Sequence, residues 1–474
     1  MRNSKYINEY ILIGIGLVLL LVVQLLGFNG LYGQDSYEYT RYSGSWIRYF
    51  SEGIHPGDYH WPLNYPVNGA ILGFVLGIKA ATILQLLSLF AFIGNAILLF
   101  KLIRIFYPTI QKYSTHWVVI GFILAPYVTR TGLVAMSDQY ASFLSLAACY
   151  AAIMVVKKGK HWWLIGMLLF GAMAVMTRYI CALMMVPIGL YVLPYLWRQR
   201  LWLPAVASVV VATIPFLPHY FIRMQNVGGF VDHPALSKWS VGNMFSRTFE
   251  SDLGHFEFLV PNIIYVFQPF FHPGFLFFGI VLVFFYRKLQ WTKEVLLLIS
   301  ILAIFLVFTA GVDTQNNRYF ITVFPFIPLL IYPLFFGLAE WVSHRKKQLV
   351  LPFIATLIIA QLGLAGYAFS KFYQINKTEK EVAALFDDVK GKMVYTYGTE
   401  MALSHYNKNN TFKSLHLQDG LNPDPGIYFL FDHNWLKNEQ VKELFQVKLW
   451  EQLRDADRLK SVKKLKNWEL YEVR

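Results

Sequence analysis

The chain has 474 residues, of which 56% are hydrophobic, 17% aromatic and only 15% charged, where an ordinary soluble domain is about a quarter charged. That composition excludes a soluble globular protein. A formal charge of +14 would suit a nucleic-acid binder, but the basic residues sit in short breaks between apolar runs and the tail from Lys371 is nearly neutral, so that class is set aside.

Apolar runs near the roughly 18 to 20 residues needed to cross hydrocarbon recur along most of the sequence. Only helices or closed barrels satisfy their backbone in lipid, so the fold class expected is a polytopic α-helical membrane protein. The first run, Ile11 to Phe28, follows Arg2 and Lys5 and has no Ala-x-Ala-like cleavage site after it. It reads as a retained helix rather than a removed signal peptide. Further spans are expected over 79–106, 116–131, 137–156, 162–177, 179–197, 201–221, 274–287, 293–311, 319–339 and 349–370, about eleven in all. With the N-terminus cytoplasmic, the strongly basic breaks at 101–112, 157–160, 198–200, 287–293 and 345–347 all fall inside, as the positive-inside rule demands. An odd helix count then places the tail outside. Cys149 and Cys181 lie in apolar segments and imply no disulfide framework.

Between the first two spans lies a long outer loop, opened by Gly-Gln-Asp-Ser-Tyr-Glu-Tyr-Thr-Arg-Tyr at 33–42. Asp35 and Glu38 have capping-box spacing, so Asp35 is expected to cap a helix. Tyr39, Tyr42, Trp46 and Tyr49 or Phe50 then recur at helical spacing, which resembles an amphipathic helix lying in the membrane interface with its aromatic face toward the headgroups. The prolines of the following stretch, Gly57 to Pro66, are expected to hold an extended chain that roofs a site. Within this loop Tyr37, His60 and Tyr65 are candidate substrate contacts.

Ionisable residues beside membrane helices are costly and therefore informative. Asp35, Arg130, Asp138, Arg178, Asp313 and Arg318 are all expected at the outer ends of helices, where one cavity would gather them. Asp138, after Ser137, opens a helix and reads equally as a cap. Arg178 and Arg318 suit a phosphate, which a guanidinium holds bidentately, or an ion pair with Asp138 or Asp313. Tyr319 follows Arg318 as a further substrate contact. The largest outer loop, 222–273, carries histidines whose spacing matches no compact metal motif, and His255 is the candidate among them for a phosphate. The tail from 371 to 474 reads as a small α/β domain: a helix around 377–389, strand-like 393–397, 411–417 and 426–432, a charged helical stretch, and a last segment 468–473.

An Asp just after the first helix in a long outer loop, a Pro-Leu-x-Tyr turn closing it, Ser-Asp opening the fourth helix, Thr177-Arg178, and Arg318-Tyr319 before a proline-bearing late helix: in this order the features resemble the GT-C glycosyltransferases of the protein mannosyltransferase and aminoarabinose transferase type, in their bacterial branch. The resemblance covers residues 1–370, with 371–474 like the variable C-terminal domains of that group. It implies an inverting transferase that takes a hexosyl or pentosyl unit from a polyprenyl-phosphate sugar to a glycan, lipid or protein acceptor. It implies a bacterial plasma membrane, with the active site and C-terminus on the extracytoplasmic side. Asp35 would be catalytic and Asp138 would contribute, with Arg318, Arg178 and His255 on the donor phosphate. No cofactor is implied with certainty; the two aspartates offer carboxylates to a divalent metal, and the sequence leaves that open. The turn His60-Trp61-Pro62-Leu63-Asn64-Tyr65-Pro66 departs from the paired-proline form of the family, and no acceptor site can be matched. A transporter or flippase would keep its charges near the midplane on broken helices, within internal repeats. A surface-polysaccharide ligase or polymerase would centre on arginines and a histidine in one late loop.

Overall fold

A computed structural model describes the chain except for residues 1–3, 60, 110–111, 224–237, 252–253, 418–420, 439–440 and 442–443. It is a helical membrane protein with a small C-terminal sheet, divided into two compact units. The first comprises Met1–Gly30, Tyr42–Met244 and Asn262–Ser370; the second comprises Leu31–Arg41, Phe245–Pro261 and Lys371–Arg474.

Among the described residues seven helices are long and apolar enough to cross a membrane: Ala80–Phe106, Ser137–Lys158, Tyr179–Gln199, Trp202–Arg223, Lys293–Ala310, Phe326–Arg345 and Lys347–Phe386. The first helix, Ser4–Leu25, is apolar over Glu9–Leu25, and Trp163–Val175 is apolar but shorter. The expected span 116–131 is interrupted and 319–339 is cut off from its first residues, each at a proline. Pro126, which has no N–H to give, ends the Lys112–Ile123 run and opens a separate helix Pro126–Leu133. Tyr319–Val323 is likewise parted at Pro325 from Phe326–Arg345. The expected span 274–287 holds instead a 3-10 stretch, Gly279–Lys288, with a kink at Phe285.

Within the first unit, the helices Ala80–Phe106 and Ser137–Lys158 pack against one another. Ala141, Ala147, Ala148, Ala151 and Ala152 are buried along the second of them, and small residues let membrane helices approach closely. Buried amides and hydroxyls pin the join: Asn95 Nδ2 donates to Gln139 Oε1 at 3.0 Å, Gln85 Nε2 to the Leu133 carbonyl at 2.9 Å, and Ser88 Oγ to the Met136 carbonyl at 3.0 Å. They fix the turn that leads into Ser137 and Asp138.

The stretch expected to be an extended roof is partly a helix, Asn64–Leu76, whose Pro66 lies in the first turn, where a missing N–H costs nothing. Gly77, at φ 67°, ends it with its N–H on the Gly73 carbonyl. The aromatic stripe of the helix Gly33–Glu52 also differs from expectation. Tyr42 and Trp46 are 0% and 5% exposed. Tyr42 stacks on Tyr59 at 3.8 Å and donates to the Gly57 carbonyl, and Trp46 packs against Phe221, so the stripe faces protein rather than headgroups.

In the second unit, β1 (Thr248–Ser251) and β2 (Gly254–Glu257) form a hairpin. The C-terminal sheet contains β3 (Met393–Thr396), β4 (Thr411–Ser414), β5 (Tyr428–Asp432), β6 (Leu459–Leu465) and β7 (Trp468–Val473), in the order β4-β3-β5-β7-β6. β3 is parallel to both β4 and β5, while β7 is antiparallel to β5 and β6. β6 was not expected from the sequence, because an edge strand bearing Lys460, Lys463 and Lys464 shows no apolar alternation. Side chains alternate between two cores, as strand geometry requires. Val394, Leu430 and Leu470 join Leu403 on one face; Tyr395, Phe429 and Phe431 join Leu449 and Leu453 on the other.

The segment Leu31–Arg41 is bound into this unit by three hydrogen bonds, the first two of them buried. Tyr37 Oη donates to Glu379 Oε2 at 2.6 Å, Asn376 Nδ2 donates to the Leu31 carbonyl at 2.8 Å, and the Met401 N–H donates to Gln34 Oε1 at 3.1 Å.

Candidate functional site

In the first unit the polar chemistry centres on Asp138, in the first turn of Ser137–Lys158. It does not cap that helix: Met136 holds the cap position, with no side-chain cap bond. The carboxylate is 0% exposed. Oδ1 takes the Arg178 guanidinium, and Oδ2 accepts from Arg318 Nη2 at 3.1 Å. Arg130 adds a third positive charge within electrostatic reach. Both ends of the carboxylate are therefore occupied, which fixes the two guanidiniums in place. Arg178, Arg318 and Arg130 thus gather around one buried acid, and Asp313 joins Arg178 and Arg318 in electrostatic reach of Tyr319.

Around it stand aromatic and amide groups. Arg130 lies over the Tyr127 ring at 5.0 Å, Tyr127 stacks on His272 at 5.6 Å, and Asn317 Nδ2 donates to Tyr127 Oη at 3.2 Å. Gly274 is required here, since a Cβ would fall 2.2 Å from the Tyr127 ring. Tyr319 opens its short helix with both Arg178 and Arg318 in electrostatic reach. Burial pushes the Tyr265 hydroxyl up and His272 down from their ordinary values. Asp313 pairs with Lys238 at 3.7 Å rather than with an arginine. Tyr127, Tyr265 and Asn317 carried no signal in the sequence beyond their being near helix ends.

Asp35 belongs to the second unit, on the segment Leu31–Arg41. It is the third residue of the helix Gly33–Glu52, not its cap, because the helix starts two residues before it. The turn is closed by Ser36, whose Oγ accepts from the Tyr32 N–H at 2.6 Å and donates to the Tyr32 carbonyl at 2.7 Å. Asp35 is half-buried in the first turn, where the helix dipole favours a carboxylate. Glu38 is drawn aside by Arg41, with Nε to Oε2 at 2.7 Å.

The remaining expected contacts divide. Tyr319 stands beside the arginines. Tyr65 is 0% exposed, with Oη on the Leu84 carbonyl at 2.9 Å and on Ser88 Oγ at 2.7 Å, so it packs helices and has no phenol left for a substrate. Tyr37, 2% exposed, is likewise spent on Glu379, and it lies 3.2 Å from Tyr406 Oη. His255 is exposed on β2 in the second unit, while Arg178 and Arg318 lie in the first. His60 lies outside the described residues. Among the described residues no three His, Cys, Asp or Glu side chains are grouped to hold a metal ion.

Solved structures with this architecture cover nearly the whole chain. One is ArnT, the aminoarabinose transferase of Cupriavidus metallidurans, bound to undecaprenyl phosphate: TM-score 0.63 and 12% identity over 99% of this chain and 98% of that one. The oligosaccharyltransferase of Archaeoglobus fulgidus in its apo form gives 0.55 and 12% over 90% and 70%. Both are GT-C glycosyltransferases. The chain has the GT-C fold. No protein-family model matches the sequence, and no curated protein matches it either. At 12% identity the likeness shows the fold, and within a fold the chemistry belongs to the residues of the site.

Proposed function

We propose that the chain is an inverting glycosyltransferase that moves a sugar from a polyprenyl-phosphate donor to an acceptor hydroxyl on the extracytoplasmic face of a bacterial plasma membrane. The observation that carries this is the cluster at Asp138: one buried acid holding Arg178 and Arg318, with Arg130 near, in a GT-C fold. Guanidiniums gathered at a helix end suit a phosphate, which they hold bidentately, and a solved neighbour of the same fold was captured with undecaprenyl phosphate.

In this reading the guanidiniums take the donor phosphate, and Asp138 acts as a positioning residue that orients them. His255, exposed on β2, is proposed as a further contact to the donor phosphate. The acceptor hydroxyl attacks the anomeric carbon from the side opposite the phosphate. As the new C–O bond forms, the bond from the sugar to the phosphate oxygen breaks, polyprenyl phosphate departs, and the hydroxyl proton passes to the Asp35 carboxylate. The transition state resembles an oxocarbenium ion, so neutralising the leaving phosphate and removing the proton are the two services required.

The test is transfer by purified full-length protein from a panel of polyprenyl-phosphate sugars. Asp35→Asn should lower turnover by at least about 10²-fold, the usual worth of a general base, with donor binding kept. Undiminished turnover would remove Asp35 from the chemistry.

A further inference from the structure

At the carboxyl ends of β3 and β5 the second unit opens into a crevice. One part, of about 300 Å³, is lined by Tyr32, Gly33, Glu379, Thr399, Asp432 and Trp468 among others. A second part, of about 260 Å³, shares Thr399, Asp432 and Trp468 and adds Tyr397 and Trp435.

The topology makes this opening. From β3 the chain passes through the helix Glu400–Tyr406 to β4 on one side; β5 lies on the other side of β3 and leads to the helix Phe445–Asp455. Leu403 of the first helix packs on one face of the sheet, and Leu449 and Leu453 of the second pack on the opposite face. Connections that diverge from two neighbouring parallel strands leave a gap at their carboxyl ends, where open α/β sheets bind ligands.

The lining decides the ligand. Tyr397 and Trp435 stack at 4.2 Å and 26°, and Trp468 adds a third aromatic surface. Glu379 and Asp432 supply carboxylates and Thr378 and Thr399 hydroxyls, while the described lining residues include no Lys or Arg. Aromatic faces suit the C–H face of a sugar ring, acids and hydroxyls bond its hydroxyls, and a lining that holds two acids and neither Lys nor Arg offers an anion no ion pair. The volume is that of a small-ligand pocket. Tyr32 and Gly33 stand just before Asp35, so a ligand in the crevice lies alongside the turn that carries the proposed base.

We propose that this crevice binds a saccharide without anionic groups and holds it as the acceptor, an inference that rests on the transferase reading. The probe is saturation-transfer NMR on full-length Asp35→Asn protein in detergent, with neutral and amino mono- and disaccharides and a uronic acid as the anionic control. At least one neutral or amino sugar should bind and the uronic acid should not. Trp468→Ala, and Thr378→Phe, which plugs the crevice from the partly exposed flank of its helix, should each weaken binding about tenfold or more, the worth of an aromatic contact. Thr378→Phe should leave the unfolding temperature in place. On an otherwise wild-type background the same variants should raise the KM for that sugar as acceptor and spare kcat. Absence of saccharide binding, binding that survives both variants, or equal binding of the uronic acid overturns the inference, whatever transfer shows. Binding lost in both variants while Asp35→Asn turns over donor at the wild-type rate overturns the base assignment instead, and leaves the crevice its sugar.

Discussion

A carboxylate sealed from water between two guanidiniums has one stable arrangement, and Asp138 is held in it. Asp138→Asn removes the carboxylate charge that Arg178 and Arg318 share, and breaking a buried pair in this way costs about 3–5 kcal/mol. Thermal unfolding in detergent should register that loss. Arg318→Lys keeps the charge but loses the planar fork, so the KM for donor should rise more than kcat falls. In the second unit, Tyr37→Phe removes a buried hydrogen bond to a carboxylate, at about 1.5–3 kcal/mol, again read as an unfolding shift. His405, packed on Tyr37 at 5.5 Å, is held below its ordinary value by burial and by Lys408. The unfolded chain therefore binds that proton more readily, so this histidine subtracts stability as pH falls through about 6.5, the unfolded value. The drop in unfolding temperature between pH 7.5 and 5.5 should be smaller in His405→Phe than in wild type. Asp35 and Asp138 could be singled out from sequence because each follows or opens an apolar run. The bond from Tyr37 to Glu379 could not, since 342 residues separate the partners and neither local pattern names the other.

At the level of elements, the sequence carries period but not direction. The aromatic stripe of Gly33–Glu52 has the spacing of a helix that rests on lipid, and equally of one that rests on protein. Its burial on Tyr59 and Phe221 is a tertiary fact. Trp46→Ala should accordingly cost about 3–5 kcal/mol, as for any large buried aromatic, while Arg48→Ala on the exposed side should stay within about 0.5 kcal/mol, both by thermal unfolding. Long apolar runs marked most of the membrane helices correctly. They failed where Pro126 and Pro325 cut a run that composition alone makes continuous, and at Asn64–Leu76, where two nearby prolines disguised a helix. Central β5 was legible as an apolar run buried on both faces; edge strand β6 was not, because its lysines answer to solvent.

Taken whole, the molecule assigns its chain to units without regard to sequence order. The short segment that bears Asp35 has its hydrogen-bonding partners in Asn376, Glu379 and Met401, hundreds of residues downstream. A chain ending at Ser370 should thus lose more than its tail: the stretch 31–41, stripped of those partners, should become cleavable in limited proteolysis, and transfer should vanish with it. The GT-C likeness was within reach of the sequence through the order of its motifs, whereas this partition was not, because it is written in pairings rather than in runs. It also constrains how such proteins can be recombined. A chimera that takes 371–474 from a relative and keeps its own 31–41 joins two surfaces that were never selected together. The heritable cassette is three separate stretches, 31–41, 245–261 and 371–474, and a crossover that carries only the last inherits a lock without its key.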